Sequence, residues 1–310
     1  MYNALVIGCG NIGAGYDFEN EQVLTHAKAL SLNKNFSFKV FDVDKILAKK
    51  VSERYKCDTE EDINEAMLKS FDLVSICSPT KTHFEYLTKC FDAKVKVIIC
   101  EKPVSSNEND LPVLLERYNL GDSKVQVNYT RRFQPAYSQL RKKIKTISEV
   151  EKLTNISIRY QRGFLNNCSH AIDLIEFLTD KKIELKNIQK SNFIYDHFEN
   201  DPTLTLSANW DETNVNILGL SNVLFPYFDI DFYFESSKIE IKELGRTIEI
   251  LKSENRFTTL ISKEIIKDAM KDNMINVLVE AKELLKDSSR KDNFLDAVQL
   301  NQKMLNYLNN

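Results

Sequence analysis

Short apolar runs alternate with helical patterns over the first 128 residues. Each run is continuous, which is typical of strands buried on both faces of a parallel sheet. The five runs are Ala4–Ile7, Phe36–Phe41, Leu73–Cys77, Val95–Cys100 and Lys124–Asn128. The helical patterns between them cover Leu24–Leu32, Lys45–Tyr55, Ile63–Lys69, His83–Phe91 and Leu111–Tyr118. This alternation predicts a doubly wound parallel α/β domain over residues 1–128.

The pattern changes in residues 129–310, where apolar and polar residues alternate with a period of two. Phe228, Ile230 and Phe232 fall on one face of a predicted strand, whereas Tyr227 and Tyr233 fall on the other. Such alternation is typical of a half-buried antiparallel sheet, so we expect a second, α+β domain. The polar, tyrosine-rich face suits either a partner subunit or solvent, and the first alternative predicts a homodimer or homotetramer.

A glycine turn follows the first apolar run. Gly8, Gly10 and Gly13 form a GxGxxG pattern whose other members include Asn11 and Ile12. The first glycine permits a tight turn, the second a close approach of the backbone to a pyrophosphate, and the third close packing on the strand. The turn lies directly after a strand and before a helical pattern, which predicts dinucleotide binding by these five residues. A purely structural turn is the alternative.

Asp42 follows the second apolar run. At this position a carboxylate accepts hydrogen bonds from the adenine ribose and repels a 2′-phosphate, which predicts NAD in preference to NADP. Asp42 lies 29 positions after Gly13, more than the ~20 that is usual. The residues from Ala14 to Glu21 account for the excess and are expected to interrupt or delay the first helix. A helix cap or turn carboxylate is the alternative role for Asp42.

Two further strand ends carry candidate cofactor ligands, because ligands of open α/β sheets bind beyond the carboxyl ends of the strands. Ser78, Pro79 and Thr80 follow the third run and are expected to line the cofactor cleft. His83, at the start of the next helix, either contacts the cofactor or is structural.

The fourth apolar run ends in Glu101, Lys102 and Pro103. Proline after Lys102 favours an extended or turn conformation and makes a cis bond accessible. A lysine fixed at this edge can stabilise an alkoxide or shuttle a proton during hydride transfer. Arg131 and Arg132 follow the last strand of the first domain, where a guanidinium suits sugar hydroxyls, phosphate or cofactor. An ordinary charge pair is the alternative for the two arginines.

Composition excludes several classes. The chain has 310 residues and a net charge of −3, which implies no nucleic-acid or membrane partner. It shows no leader pattern and no long apolar run, so we expect a cytoplasmic protein. The six cysteines show no metal-ligand spacing, so we expect no metal, and reduced thiols that pack as small hydrophobes.

Taken together, these motifs resemble the Gfo/Idh/MocA oxidoreductase family, and the likeness runs from residue 4 to about 180. The motifs that carry it are Gly8–Gly13, Ser78–Thr80 with His83, Glu101–Pro103, Arg131–Pro135 and Ser169–Asp173, and Asn293–Val298 is similar to the family's closing helices. The segment Tyr160–His170 resembles a subgroup of bacterial surface-sugar pathways. The resemblance implies a Rossmann domain followed by an α/β domain with an open antiparallel sheet. It also implies a bound NAD(P) and a sugar, inositol or nucleotide-sugar substrate.

Carried over by position, Lys102 and His170 are the active-site lysine and histidine, and Glu101 and Lys102 border the cofactor. The substrate side includes Arg131, Arg132, Tyr160, Asn166 and Asp173. By pattern alone, His170 is favoured as a capping or core histidine. The chain departs from the family at Asn166, where an aspartate is common, and at Cys168, where glycine is common.

The leading hypothesis is an NAD-dependent dehydrogenase acting on the carbinol or keto carbon of a sugar, cyclitol or nucleotide-sugar. A catalytically silent NAD-binding sensor or scaffold is the alternative, and Asn166 and Cys168 are its only support. A dehydrogenase of amino-acid or tetrapyrrole metabolism is a third hypothesis, disfavoured by the Ser169-His170…Asp173 element.

Overall fold

The computed structural model describes residues 1–185, 189–190, 193–210, 212–255 and 258–309. The chain divides into two compact units. Met1–Thr130 and Asp272–Asn306 form the first, and Arg131–Lys271 with the last residues from Tyr307 form the second. The predicted domain boundary between residues 128 and 129 lies close to Thr130, after which the chain first passes from the first unit to the second. The final helices, which the sequence analysis assigned to the second domain, instead group with the first unit.

The first unit contains a six-stranded parallel sheet in the order β3-β2-β1-β4-β5-β6. Its strands are β1 (Tyr2–Ile7), β2 (Phe36–Phe41), β3 (Asp58–Thr59), β4 (Leu73–Ile76), β5 (Val97–Cys100) and β6 (Lys124–Val127). Central β1 pairs in parallel with β2 and β4, so that Val6 lies between Val40 and Ser75. Strands β4 and β5 are buried at every residue. The predicted doubly wound fold is confirmed, and only the two-residue β3 was not predicted.

Helices connect these strands. They are α1 (His26–Leu32), α2 (Lys45–Tyr55), α3 (Glu65–Leu68), α4 (His83–Asp92) and α5 (Asp110–Leu120). Asp44 caps α2 by accepting from the amides of Ile46 and Leu47, and Asn64 caps α3 by accepting from that of Met67. Such caps satisfy amides that have no partner inside the helix and so fix where it begins.

The segment after the glycine turn is a wide helical turn, Asn11–Gly15, and not the start of a long helix. Helix α1 begins only at His26, as the long interval between Gly13 and Asp42 predicted. The intervening loop is organised by Asp17, whose side chain is fully buried. Asp17 accepts from the amides of Leu24 and Thr25 and from the Thr25 hydroxyl, at 2.5, 2.8 and 2.7 Å.

The last two helices are α8 (Asn273–Lys286) and α9 (Phe294–Asn309), and they belong to the first unit up to Asn306. Asn293, before α9, accepts from the amide of Val127 and donates to its carbonyl, both at 2.9 Å. Asp292 accepts from the amide of Val125 at 2.8 Å. The side chains of Asp292 and Asn293 therefore provide hydrogen-bond partners for the backbone at the outer edge of β6. Without them this edge would be open for pairing with another strand.

The second unit is built on an eight-stranded sheet in the order β14-β13-β12-β11-β7-β10-β9-β8. Its strands are β7 (Leu153–Tyr160), β8 (Gln189–Lys190), β9 (Leu206–Trp210), β10 (Thr213–Gly219), β11 (Phe228–Phe234), β12 (Ser237–Lys242), β13 (Thr247–Lys252) and β14 (Ile261–Ile266). All neighbouring pairs are antiparallel except β7 with β10. The predicted open antiparallel sheet is confirmed, with this one parallel pair as a refinement.

The faces of β11 alternate as predicted. Ile230 and Phe232 are fully buried on one face. On the other face Asp231 pairs with Arg159 at 2.9 Å and with Lys238 at 3.5 Å. Two helices, α6 (Pro135–Ser148) and α7 (Ser169–Thr179), pack against each other in this unit.

Across the residues that the structure describes, no helix is long and apolar enough to cross a membrane. Within the same residues no group of acidic, histidine or cysteine side chains could hold a metal ion. All six cysteines are free thiols, and all except Cys57 are buried.

Replacing Asp17 with alanine is expected to destabilise the protein by about 2–4 kcal/mol, because it leaves the part-buried Leu24 amide and the buried Thr25 amide and hydroxyl without their acceptor. Asp44→Ala is the matched control, since it removes a helix cap with two amide contacts from an exposed position and should cost less. Urea unfolding of both variants measures the difference. Equal losses would show that the buried aspartate does not organise the loop.

Candidate functional site

The glycine turn is as tight as the motif requires. Gly8 has φ +98°, and a Cβ there would lie 2.7 Å from the amide nitrogen of Ser78. A Cβ on Gly13 would lie 1.9 Å from the carbonyl oxygen of Gly8. Gly10 instead faces open space, with nothing within 4 Å of its added Cβ. The first and third glycines are therefore needed for packing, and the second leaves room for a ligand against the backbone.

Asp42 lies at the end of β2, beside this turn. One carboxylate oxygen accepts from the amide of Cys9 at 2.7 Å, and the other accepts from the amide of Asp44 at 2.9 Å. The structure thus brings Asp42 to the glycine turn despite the long loop between them. Each carboxylate oxygen can accept more than one hydrogen bond, so both remain available to ligand hydroxyls.

The end of β4 carries Ser78, Pro79 and Thr80, and it is tied by the Thr82 hydroxyl, which contacts the Ser78 hydroxyl at 2.7 Å and the Pro79 carbonyl at 2.8 Å. The side chain of His83 is buried, and its two ring nitrogens lie 2.9 Å from the carbonyl oxygens of Pro103 and Ser78. Burial lowers the pKa of His83. The ring of His83 thus lies between two loops, in agreement with a structural role, and its contact with the cofactor stays a prediction.

The end of β5 carries Glu101 and Lys102, and the Lys102–Pro103 bond is cis. The carboxylate of Glu101 is buried and contacts His26 Nε2 at 3.0 Å and Asn128 Nδ2 at 2.6 Å. Burial opposes its ionisation, but these hydrogen bonds and the charges of His26 and Lys102 together hold the pKa of Glu101 below its usual value. Glu101 therefore stays ionised next to Lys102, whose own side chain is half-buried.

In the second unit, His170 is the second residue of α7 and follows a short helical turn, Phe164–Cys168. Asp201 accepts from the amides of Leu165 and Asn166 at 2.7 and 2.8 Å. Gly163 has φ +85°, and a Cβ there would lie 2.2 Å from the Asp201 carboxylate. A carboxylate from a distant loop thus fixes the turn that precedes His170.

The other residues expected on the substrate side hold the second unit together. Arg132 pairs with Asp173 at 2.8 Å, and both side chains are largely buried. Arg131 stacks on the Phe228 ring at 3.8 Å and donates to the carbonyl of Leu244 at 2.9 Å. Arg132 thus forms a charge pair and Arg131 stacks on an aromatic ring, and substrate binding by either arginine stays a prediction.

Tyr160 and Asn166 also have local partners. The fully buried Tyr160 hydroxyl donates to the carbonyl of Leu204 at 2.9 Å and accepts from its amide at 3.0 Å. The Asn166 amide donates to the carbonyl of Arg162 at 3.2 Å. The buried Tyr160 hydroxyl thus has a structural contact, and half-buried Asn166 lies on the turn before His170. Substrate binding by either residue stays a prediction. Burial raises the pKa of the Cys168 thiol well above its usual range, so Cys168 is a neutral core residue.

Sequence reasoning missed three polar residues at these sites, namely His26, Asn128 and Asp201. His26 opens a helix and Asn128 ends a strand run, which are positions where side chains reach the carboxyl edge of the sheet. Asp201 gave no signal, because it lies in a loop far along the chain from the turn that it caps.

The sequence model of a family described as "Oxidoreductase family, NAD-binding Rossmann fold" (GFO_IDH_MocA) matches residues 2–129. An inositol 2-dehydrogenase from Rhizobium meliloti is 31% identical over 153 residues, which cover 48% of this chain and 43% of that protein. The chain spans about half the length of the curated relatives it matches.

Solved structures cover nearly the whole chain. A UDP-N-acetylglucosamine 3-dehydrogenase, GnnA, from Acidithiobacillus ferrooxidans has a TM-score of 0.75 and 18% identity, covering 99% of this chain and 95% of that one. A levoglucosan dehydrogenase in complex with NADH and levoglucosan has a TM-score of 0.76 and 13% identity, covering 99% and 96%. At these identities the likeness shows the fold alone. The first domain, residues 2–129, therefore matches the NAD-binding Rossmann fold of the Gfo/Idh/MocA oxidoreductase family.

Proposed function

We propose that the protein is an NAD-dependent oxidoreductase that transfers hydride between nicotinamide and a carbinol or keto carbon of a sugar, cyclitol or nucleotide-sugar. The observation that carries this proposal is the position of Lys102 at the end of β5, on the sheet edge that also holds the glycine turn and Asp42. The names of the relatives, an inositol dehydrogenase and a nucleotide-sugar dehydrogenase, support the substrate class.

The residues present fit a dinucleotide. Gly8 and Gly13 leave no space for a Cβ, whereas Gly10 faces open space, as a backbone that cradles a diphosphate requires. Asp42 would hold the adenine ribose, and Ser78, Pro79 and Thr80 would line the cleft. When bound, NAD(H) accepts or donates the hydride.

The protein's own residues manage the proton. In the oxidative direction the substrate hydroxyl loses its proton as its carbon loses hydride, and the reverse holds for reduction. We assign the role of proton acceptor to His170, because it begins a helix on a turn fixed by Asp201. We assign stabilisation of the developing alkoxide to the Lys102 ammonium, which a positioned charge achieves without reorganising solvent.

A substrate panel tests this proposal. NADH absorbance is followed while purified protein and NAD are incubated with inositols, free sugars and UDP-sugars. Formation of NADH with one of these classes supports the proposal. Tight NAD binding without turnover on any of them would instead support the silent sensor.

Asp42 is expected to make NAD(H) bind more tightly than NADP(H), because its charge repels a 2′-phosphate. Asp42→Asn removes the charge and keeps an oxygen for the Cys9 amide, so it should narrow the difference in Kd by on the order of 10-fold, mainly by tightening NADP(H). Fluorescence titration with both reduced cofactors measures the change.

Asp42→Ala provides the comparison, since it also removes the acceptor of the Cys9 amide and should weaken both cofactors. Equal affinity of the wild type for the two cofactors, or a preference for NADP(H), would refute the role of Asp42.

Lys102→Met is expected to lower kcat/KM by ~10²–10⁴-fold with NAD binding largely retained, since it removes a positioned acid–base group. His170→Asn should cost less, unless His170 is the sole base. Asn166→Asp should raise activity or shift its pH profile downward if a missing carboxylate limits the rate. The measurement is kcat/KM against pH on the substrate that the panel identifies.

Lys34→Met is the control, because Lys34 is an exposed lysine of the same unit. Near-normal turnover of Lys102→Met would remove Lys102 from the mechanism.

The protein is expected to form a homo-oligomer through the polar face of the second sheet, which bears Tyr227 and Tyr233. Ile265 lies on this face, since Asp231, Glu240, Glu249 and Ile265 are opposite one another in successive strands. Its side chain is 51% exposed, so Ile265→Lys should weaken association without unfolding the unit. Light scattering at micromolar concentration measures the mass.

Ile275→Lys on α8 is the matched control, because Ile275 is 41% exposed and lies in the first unit. A wild-type protein that shows only a 35.9 kDa species would contradict this prediction.

A further inference from the structure

A buried polar cluster lies beneath the end of β5. It consists of Glu101, His26 from the start of α1 and Asn128 from the end of β6. Glu101 is 8% exposed, His26 2% and Asn128 1%. His26 Nε2 and Asn128 Nδ2 both contact the same carboxylate oxygen, Oε1, at 3.0 and 2.6 Å. A buried carboxylate with two converging donors is fixed in position as well as in charge.

The cluster is fixed from outside by the rest of the unit. Thr25 caps α1 by accepting from the amide of Lys28, and Asp17 anchors Thr25, so the start of the helix and His26 are held in place. Asn128 Nδ2 also lies 3.6 Å from the Met274 sulfur, and Asn128 Oδ1 accepts from the Thr130 hydroxyl at 3.1 Å. Both donors to Glu101 are therefore held by contacts of their own.

We propose that His26 is a positioning residue for the active-site lysine: it fixes the side chain of Glu101 at the end of β5, and the shared backbone thereby positions the adjacent Lys102. The inference rests on the function proposed for Lys102 and adds a residue to it. This proposal also gives loop 16–25 a role: the loop delays the start of α1 and so brings His26 to the end of β5.

The other titratable groups around Glu101 are neutral near pH 7. Cys77 of β4 and Cys100 of β5 have pKa values raised well above the usual range by burial. Burial lowers the pKa of His83 on α4. A pH effect that depends on the hydrogen-bond donor at position 26, and not on the loss of the imidazole itself, therefore reports on Glu101.

Two substitutions separate hydrogen bonding from packing. His26→Gln keeps an amide N–H near the position of Nε2, whereas His26→Phe keeps the ring volume without a donor. His26→Phe is expected to lower kcat by on the order of 10- to 100-fold, the scale of a small misplacement, with KM and the Kd for NAD little changed. His26→Gln should recover most of kcat.

The pH profile follows from the sign of the Glu101 shift. In the wild type its pKa is lowered, so activity that needs the carboxylate is lost only as the pH falls through that low value. Without the donor, burial dominates and raises the pKa of Glu101, so the acidic limb of kcat in His26→Phe moves to higher pH. In His26→Gln the limb should stay near that of the wild type.

Thermal unfolding at several pH values tests the ionisation of the Glu101 carboxylate without a substrate. A lowered folded-state pKa contributes stability above the unfolded pKa, whereas a raised one removes stability as the pH rises. The Tm difference between the wild type and His26→Phe should therefore widen from pH 4 to pH 7, and that for His26→Gln should not. Failure to find a substrate bears on the proposed function alone. A Tm difference that does not change with pH, or equal kcat losses in both variants, would overturn the proposal for His26.

Discussion

The parallel pairing of β1 with β2 and β4 is the constraint on which the first unit's site depends. Parallel strands end at the same edge of a sheet, so residues far apart in the chain meet there. This places Asp42 within hydrogen-bond distance of the Cys9 amide and the Ser78 amide against Gly8. A strand reversed in this sheet would move its terminal residues to the opposite edge and remove them from the site.

Most elements of the first unit could be predicted, because they depend on local features of the sequence. Short apolar runs identify strands buried on both faces, and the glycine spacing identifies the turn, because both depend on local sterics. The delay of α1 was readable from the distance between Gly13 and Asp42. The role of Asp17 was not, since a single aspartate in a polar loop gives no sign that it will be fully buried.

The second unit was less predictable at the level of individual side chains. Motif positions imply substrate contacts for Arg131, Arg132 and Tyr160, which stay predictions, and the sequence did not show the stacking, the ion pair and the backbone contact that these side chains make. A guanidinium or phenol satisfies a protein partner as readily as a ligand, and the sequence does not show which partner lies near. The return of α8 and α9 to the first unit was missed for the same reason, because it depends on Asn293 and Asp292 meeting the edge of β6.

Asp201 and His26 show a common way in which this chain supports its motif residues. Each lies outside the motif that it supports. His26 contacts the buried carboxylate of Glu101, and Asp201 accepts from the backbone amides of Leu165 and Asn166. Asp201 places a carboxylate at the amide of Asn166, the position where the family commonly has an aspartate side chain. A carboxyl group from another part of the chain thus lies at the Asn166 amide, although residue 166 itself has no carboxylate. The turn before His170 thus has an acidic neighbour, Asp201, which is held by the backbone amides of Leu165 and Asn166.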